Sequence, residues 1–371
     1  MTSNHLHIVC FDIPYPANYG GAIDVYYRIR TLKEAGVGIT LHCTYKGDLV
    51  HYPELEDFCE KVYYYPRKIA ISGILNSLPL AVTGRSNEAI LQNLLQDDAP
   101  ILYEGLVSCG TMAAPELRGR KKYFRECNVE HDYYRALAGS SYNLRDRCYY
   151  RLEAKRLERF EQVLKNADGI FALAHHDETH FRQEYPMVET SYIPCFHAHR
   201  ELTCPMGTGR GILYHGNLRV EENRKAAEYI LREIAPRMPE IPFTIAGTNA
   251  DTLKVHGENV ILVSNPGEDQ MKQLMREAQI HLLVTFQTTG LKLKLLNALF
   301  EGRHVVCNPE MVYGTPLSEL CHIGQDTKQL IEQCRSQYHS AFSDKDIQNR
   351  QKILHLLDNK NLSRQIIDHI F

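Results

Sequence analysis

Four short segments of this chain carry titratable or hydrogen-bonding side chains where β-like sequence gives way to helix-like sequence. Open α/β sheets bind their ligands at such places, beyond the carboxyl ends of strands. The sharpest segment is Thr288, Thr289, Gly290, Leu291, Lys292, Leu293, Lys294, Leu295, Leu296, Asn297. A helix start carries partial positive charge, so Lys292 and Lys294 in a first turn are each mildly unfavourable alone. An anion bound there reverses the sign. Free backbone N–H groups after Gly290, with two ammonium groups, make a cradle for a diphosphate. Two solvated surface lysines are the plain alternative, and the position after a strand favours the anion.

The second segment runs from Pro14 to Gly21, where Gly20 and Gly21 let backbone approach a ligand closely before a helix begins at Ala22. It lacks the third glycine of the dinucleotide fingerprint, so an ordinary strand-to-helix turn explains it equally well. The third segment is Arg125, Glu126, Cys127, Asn128, Val129, Glu130, His131, Asp132. Here His131 can hydrogen-bond a sugar hydroxyl or share charge with a leaving group, oriented by Glu130 or Asp132. The alternative is a satisfied histidine beside a helix-start acid pair. In the fourth segment, Tyr214 to Arg224, Gly216 admits close approach and Asn217 can bond a ligand. Glu221 and Glu222 are explained as helix-start charges and take no role.

Two further groups read as surface features. His176 and His180 lie four apart on a predicted helix, with His175 adjacent, a metal-compatible spacing, but apart from generic acids no clear third ligand is near in sequence. The segment around Tyr142 to Asn166 carries Arg145, Arg147, Arg151, Lys155, Arg156 and Arg159 together with Asp146, Glu153, Glu158 and Glu161. It reads as an exposed, salt-bridged helix, with membrane contact left open.

The elements that position these residues alternate between strand and helix patterns, the signature of a parallel α/β sheet. Strands are expected from His5, Gly38, Lys61, Ile101, Lys122, Gly169 and Thr190, and again from Gly211, Pro242, Asn259, Ile280 and His304. A Pro- and Gly-containing stretch from Phe196 to Gly211 separates the two series. Length agrees, since 371 residues suit two domains rather than one. These are residues 1–197 and 198–371. Lys plus Arg total 42 against 45 Asp plus Glu, which gives no overall field for nucleic acid. Eleven cysteines without a two-residue spacing fit reduced thiols and no structural metal. The apolar runs are strand-sized and no signal-peptide pattern opens the chain, so a cytoplasmic protein is expected.

At these four segments the chain resembles the GT-B glycosyltransferases, in particular the retaining glycosyltransferase family four. Gly290 through Arg303, with Val305 and Val306, is similar to a family pattern of Gly, two spaced basic residues, a Leu-Leu-Glu-Ala helix and Gly-Arg-Pro-Val-Val. The Pro14 to Gly21 loop resembles the family's proline and double-glycine loop, Asn128 to His131 its strand-end segment, and Gly216 to Asn223 the opening turn of its second domain.

The resemblance implies two facing Rossmann-like domains with a cleft between them, the last helix often crossing back to the first. It implies a retaining, metal-independent hexosyltransferase with no cofactor, whose nucleotide-diphospho-sugar donor is a substrate. Lys292 and Lys294 would hold the diphosphate and His131 would contact the transferred sugar. Gly20, Gly21, Asn128, Glu130, Gly216, Asn217, Thr289, Gly290 and Asn297 would line the substrates. The acceptor would be a hydroxyl of a glycan or lipid-linked glycan, with peripheral contact at the inner membrane face left open. Thr289 and Asn297 stand where the family has paired glutamates. That departure keeps a non-catalytic partner subunit or glycan-binding module in view, and the fold by itself leaves a nucleotide-sugar epimerase as a second rival.

Overall fold

The computed structural model describes residues 4–68, 77–141, 143–255, 257–287 and 292–371. The chain divides into two compact units, Met1–Ala198 with Leu357–Phe371, and His199–Leu356.

In the first unit the described residues form a seven-stranded parallel sheet of β1 (His5–Cys10), β2 (Gly38–Tyr45), β3 (Lys61–Pro66), β4 (Ile101–Glu104), β5 (Lys122–Arg125), β6 (Gly169–Ala172) and β7 (Glu189–Tyr192). The strand order is β3-β2-β1-β4-β5-β6-β7. Helices cover both faces, so the inner strands are apolar on both sides: Leu6, Ile8, Val9 and Cys10 are all buried. Helix α1 (Gly20–Glu34) follows β1 and packs Val25, Ile29 and Leu32 against Leu6 and Ile8. On the opposite face Leu157 and Phe181 pack against Val9, Tyr103 and Phe124. They come from α3 (Leu144–Phe160) and α4 (His175–Glu184), which with α2 (Glu130–Ser140) lie between β5 and β7 in sequence.

The second unit repeats the plan with β8 (Ile212–His215), β9 (Phe243–Gly247), β10 (Val260–Ser264), β11 (Ile280–Leu283), β12 (His304–Cys307) and β13 (His322–Ile323), in the order β10-β9-β8-β11-β12-β13. Helix α5 (Glu221–Tyr229) follows β8 and α6 (Leu293–Glu301) follows β11. In each unit the order reverses beside the first strand, at β1/β4 and at β8/β11, which creates the crevice that such sheets use for ligands. The two-residue β13 is too short to leave a sequence pattern.

The final helix, α7 (Asn359–Ile370), belongs to the first unit. Ile366 and Ile370 join the cluster of Leu6 and Leu32, Tyr123 Oη donates to the His369 carbonyl at 2.7 Å, and Lys121 Nζ donates to the Ile370 carbonyl at 2.9 Å. The ammonium thus meets the negative end of the helix.

Candidate functional site

The crevice of the second unit is built at the ends of β8 and β11. Lys292 is the N-cap residue of α6 and Lys294 lies in its first turn. The Lys294 ammonium donates to Asn223 Oδ1 from the start of α5 and, at 3.4 Å, to Tyr214 Oη, lying 5.2 Å from the centroid of the Tyr214 ring. Asn223 Nδ2 in turn donates to the Asn217 carbonyl at 2.9 Å, and Tyr214 Oη donates to the Asn223 carbonyl at 3.0 Å. Thus the turn after β8, the start of α5 and the start of α6 are locked together through neutral groups.

Burial pushes the Lys294 pKa down to about 8; Glu222 opposes the fall and Lys292 adds to it. Lys292 is lowered for the same reason, burial against a weaker pull from Glu222. Glu222 is held by the Thr285 hydroxyl, which donates to its Oε1 at the end of β11. Sequence reasoning gave Glu222 no role, and the structure makes it the acid whose charge is felt by both lysines. Below them, burial takes His215 down to about 3, with Lys294 pushing the same way, so this imidazole is neutral.

Two glycines make the close approach workable. A Cβ on Gly216 would lie 3.4 Å from Lys294 Nζ and from Asn223 Cγ. Gly247, at the end of β9, has φ +151°, and a Cβ there would meet the Gly216 carbonyl oxygen at 1.8 Å. Only glycine fits both the conformation and the space. Gly302 is a third such place: its absent Cβ is occupied by the His281 ring. Arg350 then caps the end of α6, donating to the carbonyls of Leu299, at 2.9 Å, Gly302 and Arg303. The helix carrying both lysines is therefore anchored at its far end.

Of the expected residues, Gly216, Lys292 and Lys294 gather in this crevice. Asn217 lies at its edge, exposed, with Oδ1 accepting from the Arg219 N–H at 3.1 Å. Asn297 faces elsewhere, because its Oδ1 accepts from His199 Nε2 at 2.9 Å while His199 stacks on Phe300 and pairs with Glu301. Thr289 and Gly290 lie outside the described residues.

In the first unit His131 is buried, and its partner is not a sequence neighbour. Nδ1 bonds Glu161 Oε2 at 3.0 Å, whereas Asp132 is 3.7 Å from Nε2. Glu161 also accepts from His180 Nε2 at 3.0 Å and from Tyr185 Oη at 3.1 Å. These bonds outweigh burial and hold the Glu161 carboxyl at about 2, while Glu161 raises His180. His180 is therefore no solvated face residue, as the lack of a clear third ligand near it in sequence suggested, but one arm of a buried His-Glu-His cluster that joins α2, α4 and the turn after α3. Three ligand atoms converge there, as they do at His5, His7 and Asp97.

Glu130 and Asn128 are half-buried at the end of β5, with burial lifting Glu130 to about 7 against Arg85. Gly20 opens α1, exposed, and Gly21 takes the Phe11 ring where a Cβ would be, at 2.8 Å. Beneath them Asp24 receives Arg28 at 2.6 Å, Arg125 at 3.2 Å and the Phe196 N–H at 2.7 Å, and Arg28 reaches Glu104. This buried set ties α1, β4 and β5 to the segment after β7. Sequence reading missed it because its members are up to 172 residues apart.

Residues 209–335 match the family model described as Glycosyl transferases group 1. The two parallel, doubly wound sheets are those of the GT-B fold, with two Rossmann-like domains. The "Uncharacterized 44.6 kDa protein in cps region" of Klebsiella pneumoniae is 25% identical over 318 residues, 81% of each chain. Among solved structures, a mutant of S. aureus TarM in complex with fondaparinux, alpha-GlcNAc-glycerol and UDP aligns over 100% of both chains, with TM-score 0.65 and 9% identity. A mutant of the Thermobaculum terrenum O-GlcNAc transferase aligns over 99% of this chain and 66% of its own, with TM-score 0.59 and 9% identity.

Proposed function

We propose that this glycosyltransferase moves a hexose, with retention and without a metal, from a nucleotide-diphospho-sugar to a hydroxyl of a glycan or lipid-linked glycan. The observation that carries the reading is the Lys292–Lys294 pair. Both ammoniums are partly desolvated at a helix start, and Lys294 is held by neutral donors and acceptors rather than by a carboxylate. Such a pair gains most when a diphosphate arrives, and gains again as the glycosidic bond breaks and negative charge grows on the leaving group. Electrostatics of this kind needs no metal. UDP, fondaparinux and alpha-GlcNAc-glycerol in the TarM complex support a nucleotide-sugar donor and a glycan acceptor. His131, held by Glu161, would contact the transferred sugar, with Asn128 and Glu130 beside it, and Gly20 and Gly21 would line the substrates. Thr289, Gly290 and Asn217 would border the donor.

One observation favours a second reading, a partner subunit of the same fold that does not catalyse transfer. Asn297, which stands where a ribose-binding glutamate is expected, spends its amide oxygen on His199. Calorimetry and thermal shift against UDP, GDP, ADP, CDP and TDP without added metal separate the two. Binding of one nucleotide that disappears in Lys292→Ala, Lys294→Ala supports transfer and names the base. Binding of none supports the partner subunit.

No helix among the described residues is long and apolar enough to cross a membrane. We place the protein in the cytoplasm with peripheral contact at the inner membrane face, where a lipid-linked acceptor would be met.

A further inference from the structure

Helix α3 is capped by Asn143, whose side chain accepts from the Arg145 N–H at 3.0 Å, and buries Glu153, Ala154 and Leu157 against the first unit. Its outward side is less ordinary. Two neighbouring rows of residues spaced four apart run along it, Leu144, Cys148 and Leu152 in one and Arg151, Lys155 and Arg159 in the other, with Arg145 on the flank. Leu144 is 73% exposed, Leu152 51% and Tyr149, beside them, 41%.

The exposed, salt-bridged helix expected from sequence forms only in part, with Arg156 paired to Glu153 at 3.8 Å. Among the described residues Arg145, Arg151, Lys155 and Arg159 have no ion-pair partner. The helix acids are engaged elsewhere: Glu153 is buried and accepts from the Ala81 N–H at 2.8 Å, and Glu158, at the border of the basic row, is paired with Arg135 at 2.8 Å. Asp146 projects on the far side of the helix, about 100° or more from the leucine row at 100° per residue. What remains is a 17-residue helix, about 26 Å long, that shows solvent interleaved leucines and cations with no acid between them.

Water suits the cations but not the leucines, and a folded-protein core suits the leucines but not unpaired cations. A helix lying in a bilayer interface satisfies both, since arginine and lysine stems reach up to headgroup phosphates while leucines enter the acyl boundary. The chain as a whole carries net charge −3, so attraction to an anionic surface must come from a local patch such as this one. Nucleic acid would match the cations and leave the apolar row in water.

We propose that the outward face of α3 docks the first unit on an anionic lipid surface, with Arg145, Arg151, Lys155 and Arg159 at the headgroups and Leu144, Leu152 and Tyr149 in the acyl boundary. This deepens the reading of peripheral membrane contact and does not depend on which sugar is transferred.

The full chain is sedimented with phosphatidylcholine vesicles with and without phosphatidylglycerol, at low and high salt. Binding is expected only with phosphatidylglycerol, with release by salt. The charge-reversed variant Arg151→Glu, Lys155→Glu, Arg159→Glu should lose about 100-fold in partitioning. Leu144→Ser with Leu152→Ser should weaken binding at low salt, where charge alone would suffice. Both variants change exposed side chains, so unaltered melting temperatures report intact folds. No sedimentation of the parent protein, equal sedimentation of the charge-reversed variant, or equal binding to heparin with no effect of the leucine changes would each overturn the proposal. Nucleotide binding in solution, measured on the same variants, is expected to stay unchanged, which keeps failure of membrane docking distinct from failure of the donor-site reading.

Discussion

The Lys294 ammonium donates to Asn223 Oδ1 and lies 5.2 Å from the centroid of the Tyr214 ring, with no carboxylate among its hydrogen-bond acceptors. A cation partnered by an amide and an aromatic face keeps capacity for an anion, and burial has already drawn its pKa to about 8.

A bound diphosphate should return that pKa upward. Binding then favours the protonated lysine, so nucleotide affinity should fall as pH rises through about 8, and binding there should take up protons. Calorimetry in buffers of different ionisation enthalpy measures the uptake. Lys294→Arg, which does not titrate in this range, should weaken the pH dependence. Lys294→Ala should weaken binding roughly 10- to 100-fold, the loss of one charge-assisted hydrogen bond. An unchanged affinity in Lys294→Ala would remove the lysine from the site.

Gly216 and Gly247 separate space for ligand from space for fold. Gly247→Ala forces a Cβ into the Gly216 carbonyl and should cost about 3 kcal/mol or more, read as a large fall in melting temperature. Gly216→Ala meets its neighbours at 3.4 Å, near ordinary contact, and should fold while binding nucleotide less well. Equal melting temperatures for the two variants would contradict this division.

Arg350 holds three carbonyls at the end of α6 from within the core. Arg350→Met keeps volume and removes the donors, which should cost about 2–4 kcal/mol in urea unfolding. Because α6 carries both lysines, nucleotide affinity should drop as well in protein that remains folded.

The Glu161 cluster sets a pH window. Glu161 is depressed, so its contribution is present above its unfolded pKa of about 4.5 and is lost as pH falls toward about 2. His180 is raised, so its contribution is present below about 6.5 and fades as pH climbs through the raised value. The stability difference between the parent protein and Glu161→Gln should therefore be largest between about pH 4.5 and 6.5. A difference that is constant from pH 4 to about pH 9 would rule out ionic coupling in the cluster.

How much of this was legible in the sequence differs from element to element. Twelve of the thirteen strands lie where alternation and apolar runs place them, because a strand buried on both faces must be apolar throughout its length. Lys292 and Lys294 were legible because a basic pair at a helix start opposes the macrodipole and asks for an anion. Asn223, Tyr214 and Glu222 were not, since each is ordinary for its own element and gains meaning only from Lys294, up to 80 residues away. The reading of His180 as solvated failed for the same reason, because Glu161 arrives from another helix.

Local sequence by itself determined two alternating α/β series and the strand-end segments where chemistry could sit, since periodicity and end-charge are properties of neighbours along the chain. The tertiary structure alone decided which side chain answers which: Glu161 for His131, His199 for Asn297, Gly247 for Gly216, and, among the described residues, no ion-pair partner for Arg145, Arg151, Lys155 and Arg159 of α3. Partner choice depends on distances in space across crossover connections, and residue spacing along the chain carries no record of those.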